Sequence, residues 1–225
     1  MKVSSSRKGS DYLKVLVYSP SGIGKTRLIV TCPNPIIISS EKKLVSISGK
    51  EFPDYTVLQV DNYKDLKKAL KFIKKNKRKE KWEWVAVDSL SHIAERLIVS
   101  YRKEGLNLRD IYGTLAEEMT EFLDNLLNIN DINIYCIAKA KKFISADGDK
   151  EYYPAMPGRV LPQNLPYMFD EVFALRIWED EETGKKIRYL QTEPNEDYEA
   201  KDSSGKLKPK EKAHLGKIHK KVKGK

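Results

Sequence analysis

The segment from residue 13 to residue 30, LKVLVYSPSGIGKTRLIV, constrains the fold of this chain more than any other. Its first six positions are rich in apolar and β-branched residues, which predicts a buried strand. A Ser-Pro-Ser-Gly-Ile-Gly turn follows, and Lys25-Thr26 then opens an apolar-periodic run that predicts a helix. A strand, a Gly-rich turn and a helix that starts with Lys-Thr form the layout of a phosphate-binding P-loop.

Each part of this loop has a physical role in holding a nucleotide. Gly22 and Gly24 let successive backbone N–H groups turn toward phosphate oxygens, and the helix N-terminus adds its dipole. Lys25 would reach the β- and γ-phosphates of ATP as a catalytic cation, and the Thr26 hydroxyl would join the Mg²⁺ shell. The predicted nucleotide-binding residues are Ser19, Ser21, Gly22, Ile23, Gly24, Lys25, Thr26 and Arg27.

The first position of the motif departs from the pattern, because Ser19 stands where G-x-x-x-x-G-K-[ST] has glycine. Glycine is favoured there since it tolerates a positive φ. Serine also tolerates many turns, so we interpret Ser19 as an accepted variant. The alternative is a Gly/Ser loop before a helix that binds no ligand, and the strand and helix on either side favour the P-loop.

A second strong signal is the segment 84–89, WVAVDS. An apolar strand that ends in Asp is the Walker B pattern, in which the carboxylate holds Mg²⁺ beside the P-loop threonine. An Asp in this position also often caps the following helix. Because the segment follows the P-loop by about sixty residues, we predict that Asp88 and Thr26 together hold the metal.

The composition describes a protein without membrane segments. The 225 residues suit one α/β domain, 33% of them are charged, and no apolar run approaches the ~20 residues of a membrane span. The N-terminus has no apolar signal region, so we expect a cytoplasmic protein that has no membrane partner. Cys32 and Cys136 lack partners at metal-binding spacing and are predicted to be reduced core residues.

The net charge of +10 is concentrated in two segments. Ranges 64–81 and 201–225 each hold ten Lys/Arg against two acids, so each carries +8 and the remainder of the chain carries −6. This distribution favours a polyanionic partner, and nucleic acid is the one we expect. A solvated lysine-rich helix and a disordered tail would give the same distribution.

The order of apolar and turn signals divides the chain into an arm, a folded domain and a tail. Residues 1–10 are predicted to be a disordered arm, 11–201 the folded domain, and 202–225 a basic, disordered tail with too little apolar content to fold alone. We expect the tail to hold DNA through phosphate contacts that do not read sequence.

Strand and helix patterns alternate within the domain. The predicted strands are 13–18, 36–39, 55–60, 84–88 and 132–138, and the predicted helices are 62–77, 90–103 and 114–127. This alternation predicts an α/β fold with a mostly parallel sheet flanked by helices, and nucleotide bound at the carboxyl ends of the strands. Two later hairpins, with turns at 147–148 and 183–184, predict antiparallel strands at one edge.

These motifs in this order resemble the RecA-like P-loop ATPases, and among them the short phage ATPases associated with single-strand annealing and recombination. The segments that carry the resemblance are SPSGIGKT, IIISSE, VAVDSL, the IYG loop, IYCIAKAKK, LPYMFDEVFAL and YEAKD, within about residues 13–202. The Glu after the second strand narrows the choice of family. The resemblance implies a RecA-like core, ATP and Mg²⁺ as ligands, and the host cytoplasm if the chain is phage-encoded.

The resemblance also assigns roles to three residues outside the P-loop. It implies that Glu41 is the catalytic base that activates water. The alternative is that Glu41 is a surface residue at the start of a helix and has no catalytic role. It places the γ-phosphate sensor at Lys139, where the family pattern leads us to expect an amide or His, and an ordinary solvated lysine is the alternative. Lys201 matches a position that reaches the nucleotide of a neighbouring subunit, which implies a ring or filament.

Two loops, 104–113 and 143–166, fall where RecA has DNA-binding loops. They and their flanks mix cations with tyrosines, a mixture that suits phosphate contact and base stacking on single-stranded DNA, although loop tyrosines often only pack against the protein. The predicted DNA contacts are Arg102, Lys103, Arg109, Tyr112, Lys150, Tyr152, Tyr153 and Arg159.

The function that these predictions favour is a Mg²⁺-dependent ATPase that binds single-stranded DNA in phage-type recombination or annealing, with single-strand-binding or replication proteins as further partners. A nucleotide-switched scaffold or helicase loader with slow hydrolysis is the first alternative. A P-loop kinase is the second, but its lid would be rich in arginine, and the arginines here are scattered.

Overall fold

The structure, a computed structural model, describes residues 11–42, 44–144, 150–181 and 183–224. Its strands are β1 Lys14–Ser19, β2 Pro35–Ser39, β3 Val57–Gln59, β4 Trp84–Asp88, β5 Asn133–Ile144, β6 Lys150–Ala155, β7 Glu171–Glu179, β8 Lys186–Gln191, β9 Lys201–Asp202 and β10 Lys210–Lys212. Its α-helices are α1 Tyr63–Asn76, α2 Leu90–Lys103, α3 Leu108–Leu127, α4 Val160–Asn164 and α5 Leu215–Lys223. Three 3₁₀ helices span Thr26–Thr31, Val45–Ile47 and Leu165–Met168.

The described residues build a ten-stranded sheet, in which eight strands follow one another in the order β10-β8-β7-β1-β5-β4-β2-β3. The six strands from β7 to β3 in this order pair in parallel. The α/β fold with a mostly parallel sheet is therefore confirmed. Because parallel strands end at the same edge, the segments that follow β1, β2 and β4 lie together.

The sheet buries one hydrophobic layer on each face. Successive side chains of a strand point to opposite faces, and in β1 Leu16 packs in the layer with α1, α2 and α3, whereas Val15 and Val17 pack in the other. The second layer is covered by the 3₁₀ helix Thr26–Thr31 and by α5. The P-loop strand is thus buried on both sides, which fixes the position of the loop that follows it.

The two predicted hairpins do pair antiparallel, but one of them does not lie at the edge of the sheet. β7 and β8 pair antiparallel, and β10 adds to β8 at the edge. β6, however, pairs antiparallel with the long outer half of β5, a central strand. The predicted turn at 147–148 and the predicted arm 1–10 lie outside the described residues.

The start of α3 differs from the sequence prediction. The segment 104–113 was predicted to be a loop, but α3 begins at Leu108 and includes Gly113. The side chain of Asn107 accepts a hydrogen bond of 3.1 Å from the backbone N–H of Asp110 and so caps the helix early. Similarly, the predicted helix 62–77 begins one residue later, at Tyr63, because the side chain of Asn62 caps it by accepting a hydrogen bond from the backbone N–H of Asp65.

The predicted disorder of the segment 202–225 is wrong, because its described part, residues 202–224, folds onto the domain. Leu215, Ile218 and Val222 have helical spacing, and all three are buried in the second hydrophobic layer. The high lysine content of the segment suggested a tail, but three apolar residues on one face suffice to dock a helix on an existing apolar surface.

The structure also describes both cysteines and the character of the helices. Cys32 and Cys136 are both buried free thiols, as predicted. Among the described residues, none of the helices has the length and apolar character that crossing a membrane requires.

We predict that Ile218→Ala destabilises the whole domain and not only α5. The side chain is 1% exposed, and removing a buried Ile side chain costs about 2–5 kcal/mol of the free energy of unfolding. Urea unfolding followed by tryptophan fluorescence measures this change. Lys217→Ala, one position earlier on the exposed face, is the matched control and should stay within about 0.5 kcal/mol. Equal stability of the two variants would contradict the docking of α5.

Candidate functional site

The strand register brings the predicted chemistry to one edge of the sheet. Ser19 at the end of β1 is paired with Lys139 of β5, and Ser39 at the end of β2 is paired with Asp88 at the end of β4. The P-loop, the residue after β2 and the Walker B carboxylate therefore surround the same point at the carboxyl edge. This is the place where open α/β sheets bind ligands.

The P-loop has the backbone that its glycines predict. Gly22 has φ +78° and Gly24 has φ +107°, both in the region that L side chains rarely adopt. Ser19, by contrast, is the last residue of β1 and is buried in extended backbone. Serine is accepted at the first motif position because that position needs no positive φ in this fold.

Lys25 folds back onto the loop that precedes it. Its Nζ donates hydrogen bonds to the carbonyl oxygens of Ser19 at 2.7 Å and Pro20 at 2.8 Å. Burial lowers the pKa of Lys25 to about 8, while Asp88 opposes the shift and Lys139 adds to it. The ammonium is thus charged at neutral pH and lies beside the loop, ready to exchange carbonyl oxygens for phosphate oxygens.

Thr26 and Asp88 form the contact expected of a P-loop and its metal carboxylate. The Thr26 hydroxyl donates to Asp88 Oδ2 at 2.5 Å, and Asp88 is only 2% exposed. The pKa of Asp88 is raised to about 6, mainly by burial and in part by the charge of Glu41, while the Thr26 hydrogen bond and the charge of Lys25 oppose the shift. A nearby cation stabilises the ionised form of a carboxylate that is buried in this way.

This pair fits Mg²⁺ bound together with a nucleotide. Mg²⁺ in such sites needs one or two carboxylates, because phosphates and water supply the other oxygens. Within the described ranges, no cluster of three or more His, Cys, Asp or Glu side chains could hold a metal ion by itself. Thr26 and Asp88 are therefore the residues that would hold Mg²⁺, and the nucleotide would complete the shell.

Glu41 lies exposed just after β2, close enough for its charge to affect Asp88. Its backbone N–H donates to Ser39 Oγ at 3.0 Å. A second contact fixes the same segment, because a hydrogen bond of 2.8 Å joins Ser40 Oγ and His92 Nδ1 on α2. The sequence predicted the position of Glu41 but not this contact, since His92 has no motif of its own.

Lys139 is at the predicted edge but is engaged elsewhere. Its Nζ forms an ion pair with both carboxylate oxygens of Glu95 on α2, at 2.5 and 2.7 Å. Its backbone N–H donates to Ser91 Oγ, and the Ser91 hydroxyl donates to the carbonyl of Ala155 on β6. Lys139 is therefore tied to α2 and β6, and it contributes charge near Lys25.

Two residues that the sequence did not single out support the P-loop from distant strands. The hydroxyl of Tyr135, a buried residue of β5, donates to the carbonyl of Lys25 at 2.8 Å. Arg188 on β8 donates through Nε to the carbonyl of Ile23 at 2.7 Å and lies against Gly24. These contacts depend on the order of the strands in the sheet, which places β5 next to β1 and β8 two strands away from it.

The remaining predicted nucleotide residues have different surroundings. Ser21 is exposed at the tip of the loop, and Ile23 packs at the margin of the second hydrophobic layer. Arg27 extends toward the segment after β2, where its guanidinium lies 5.4 Å from the ring centre of Phe52. Arg27 thus packs on an aromatic ring beside the site.

Three of the predicted DNA contacts line one cleft of about 790 Å³ between β6, α4 and the segment 194–199, which we name the tyrosine cleft. These are Tyr152, Tyr153 and Arg159. Tyr152 stacks on Tyr198, with ring centres 4.6 Å apart, so one of its faces is already covered. Acidic residues also line this cleft, namely Glu151, Glu196, Asp197 and Glu199.

The other predicted DNA contacts are more scattered. Tyr112 lies on the second turn of α3 and borders, with Arg159, a neighbouring groove. Four exposed cations lie elsewhere: Arg102 and Lys103 in the last turn of α2, Arg109 in the first turn of α3, and Lys150 at the start of β6. The structure therefore joins only part of the predicted set.

Lys201 is held inside its own chain. Its Nζ donates to the carbonyl oxygens of Pro166 at 3.0 Å and Phe169 at 2.5 Å. In this arrangement the ammonium anchors β9 beside the end of the 3₁₀ helix Leu165–Met168.

Known proteins resemble this chain at low sequence identity. The chain is 25% identical over 170 residues to the SPbeta prophage-derived uncharacterized protein YorG of Bacillus subtilis (strain 168). That match covers 71% of this chain and 50% of the relative, so the chain spans about half the length of YorG. Among solved structures it is similar to the KaiC-like protein PH0186 of Pyrococcus horikoshii OT3, with 14% identity, a TM-score of 0.45 and coverage of 79% and 76% of the two chains.

The family comparison covers almost the whole described domain. The AAA domain family matches residues 11–204, a range that contains the P-loop, Glu41, Asp88 and Lys139. A P-loop NTPase fold with these residues at one edge of the sheet agrees with that match. The chain belongs to the AAA domain family.

Proposed function

We propose that this protein binds and hydrolyses ATP with Mg²⁺ and couples the reaction to single-stranded DNA in phage-type recombination or annealing. The observation that carries the ATPase part is the convergence of Lys25, Thr26, Asp88 and Glu41 at one edge of the sheet. Each of these four residues has a defined task in phosphoryl transfer to water.

The residues divide these tasks as follows. The turned N–H groups of the loop and Lys25 bind and orient the phosphates, while Tyr135 and Arg188 hold the loop backbone. Thr26 and Asp88 hold Mg²⁺, which when bound neutralises charge on the β- and γ-phosphates. Glu41 accepts a proton from the attacking water, because it is the exposed carboxylate next to this pair.

The DNA part of the proposal is supported by charge and by relationship. The described surface carries many exposed lysines, and tyrosines with Arg159 line the cleft beside β6. Stacking on aromatic rings and contacts of cations with phosphate are the usual means of binding single strands. The relative YorG is named as prophage-derived, which agrees with a phage-type role.

We predict that Lys25→Ala abolishes ATP hydrolysis and weakens nucleotide binding, because the variant lacks the charge that meets the β- and γ-phosphates. Phosphate release and the binding of a fluorescent ATP analogue measure the two effects. Lys64→Ala, which removes an exposed lysine of α1, is the control and should behave as wild type. Turnover near the wild-type rate in the Lys25 variant would contradict the ATPase proposal.

We predict different defects for Glu41→Gln and Asp88→Asn. Loss of the base should slow hydrolysis by about 10²-fold and leave ATP binding intact, whereas loss of the metal carboxylate should weaken Mg²⁺-dependent binding and hydrolysis together. The pKa of Asp88 is about 6, so Mg²⁺-dependent binding by the wild type should weaken as pH falls below 6, and the Asn variant should lack this dependence. Calorimetric titrations at several pH values measure it. Identical behaviour of the two variants would reject this division of tasks.

We predict that single-stranded DNA accelerates ATP turnover and that Tyr153→Ala and Arg159→Ala reduce this acceleration. Both side chains line the cleft beside β6, and β6 is linked to Lys139 through hydrogen bonds of Ser91. Steady-state assays with and without DNA test the prediction, and Lys186→Ala at the β7–β8 hairpin is the control. Turnover that ignores DNA would favour the scaffold or helicase loader, and phosphate transfer to a small acceptor would favour a kinase.

A further inference from the structure

The two basic segments of the chain meet at the amino edge of the sheet, opposite the nucleotide site. α5 runs along this edge: the backbone N–H of Leu215 donates to Thr31 Oγ1 at 2.9 Å. Further along the helix, the His219 ring meets the ring of Trp84, the first residue of β4, edge-on at 5.9 Å. His219 Nε2 also lies 3.4 Å from the carbonyl of Asp11, which precedes β1.

The end of α1 reaches the same edge from the other face of the sheet. The Nζ of Lys77 donates to the carbonyl of Asn130, and the Nζ of Lys14 donates to the carbonyls of Ile129 and Ile132 at 3.2 and 3.1 Å. Lys14 and Lys77 therefore hold the same turn, just before β5.

The charges of both segments reach Lys14. Burial lowers the pKa of Lys14 to about 8, Asp170 and Cys136 oppose the shift, and Lys77 and Lys223 add to it. Lys77 is the C-cap of α1 and Lys223 is the last residue of α5, so the ends of the two basic segments both lie near Lys14. This agrees with the contacts that place both helices at the amino edge.

Positive charge dominates this surface, which we name the basic edge. It comprises Lys75, Lys77, Arg78, Lys79 and Lys81 at the end of α1 and Lys217, Lys220 and Lys223 on α5. Asp131 lies 3.8 Å from Lys77 and 3.6 Å from Arg78, and Glu80 lies 3.6 Å from Lys79. Exposed ion pairs such as these stabilise little. Over the described ranges, no carboxylate lies within 4.0 Å of Lys217 or Lys220, whereas their neighbour Lys221 is paired with Glu211.

The shape of the charge indicates the kind of partner. A single phosphate needs a compact cluster or pocket, whereas the basic edge extends over two helices on opposite faces of the sheet. Such an extended surface matches a chain of regularly spaced phosphates, whose binding is driven by the release of counterions. Its position at the opposite ends of the strands leaves the P-loop accessible.

We propose that the basic edge binds the sugar-phosphate backbone of nucleic acid without reading sequence. This inference rests on the DNA-binding part of the proposed function and places the main phosphate contacts away from the tyrosine cleft. It also replaces a disordered tail by a folded helix as the source of the charge.

The test compares two variants that each remove three charges. The first carries Arg78→Gln, Lys79→Gln and Lys220→Gln in the basic edge, and the control carries Lys64→Gln, Lys67→Gln and Lys68→Gln in the first two turns of α1. Fluorescence anisotropy with labelled oligodeoxythymidine, a labelled DNA duplex and anionic phosphatidylserine vesicles is recorded over a range of salt concentrations. Basal ATP turnover and the unfolding temperature verify that both proteins are folded. If the triple variant does not fold, the single variant Lys220→Gln replaces it in the comparison.

We expect the basic-edge variant to bind DNA about tenfold or more weakly than the wild type at low salt. Its salt dependence should flatten by about 0.7 in log–log slope for each phosphate of a single strand that the variant no longer neutralises. The DNA affinity of the control variant should fall by less than about threefold. Its three lysines lie away from the basic edge, and salt screens their attraction to DNA at that distance.

Each other outcome has one meaning. Equal reductions of affinity in the two variants would overturn the basic edge, because binding would then follow net charge alone. Binding of vesicles but neither DNA would overturn it in favour of a membrane surface. Selective loss of duplex binding, with no single-strand binding by the wild type, would support the basic edge and reject only the single-strand part of the proposed function. Normal ATP turnover with no binding to any probe would overturn both DNA proposals and leave the ATPase.

Discussion

The hydrogen bond between Thr26 and Asp88 is the contact on which the organisation of the site depends. It joins the helix after the P-loop to the end of β4, although β5 lies between β1 and β4 in the sheet. Burying a carboxylate is costly unless it is paired, and here only a hydroxyl and the charge of Lys25 offset that cost. The raised pKa of Asp88 reports the remaining imbalance. In the proposed function, a Mg²⁺ ion bound at this carboxylate would offset that remaining cost.

The parallel sheet makes that contact possible by fixing strand ends with little freedom. β1 is buried on both faces and paired in parallel on both sides, with β5 and β7. Its end, and therefore the P-loop, cannot shift without disturbing both hydrophobic layers. Two residues outside the motif, Tyr135 on β5 and Arg188 on β8, then donate hydrogen bonds to backbone carbonyls of this loop. The loop is therefore held by residues spread over the sheet as well as by its own motif.

The sequence predicted what depends on local pattern and missed what depends on tertiary pairing. The P-loop and Asp88 were predicted to lie together because each has a characteristic spacing next to an apolar strand, and Thr26 and Asp88 are in contact. His92, Glu95 and Arg188 carry no local signal, since their partners are far away in the chain and meet them only after folding. The error at α5 had another cause: lysine content was weighted above the spacing of three apolar residues, which decided the outcome.

The separation of the two edges limits how DNA at the basic edge could affect ATP turnover. β1 spans six residues from Lys14 to Ser19, or about 17 Å at about 3.3 Å per residue. This exceeds the Debye length of about 8 Å at physiological salt, so phosphates at the amino edge have little direct electrostatic effect on exposed charges at the P-loop. An effect on chemistry must instead pass through packed elements. The hairpin of β5 and β6 is suited to this, because Lys139 is paired with Ala155 and Lys141 with Tyr153. In the proposed function, the basic edge therefore supplies affinity, whereas the hairpin beside the tyrosine cleft controls the rate.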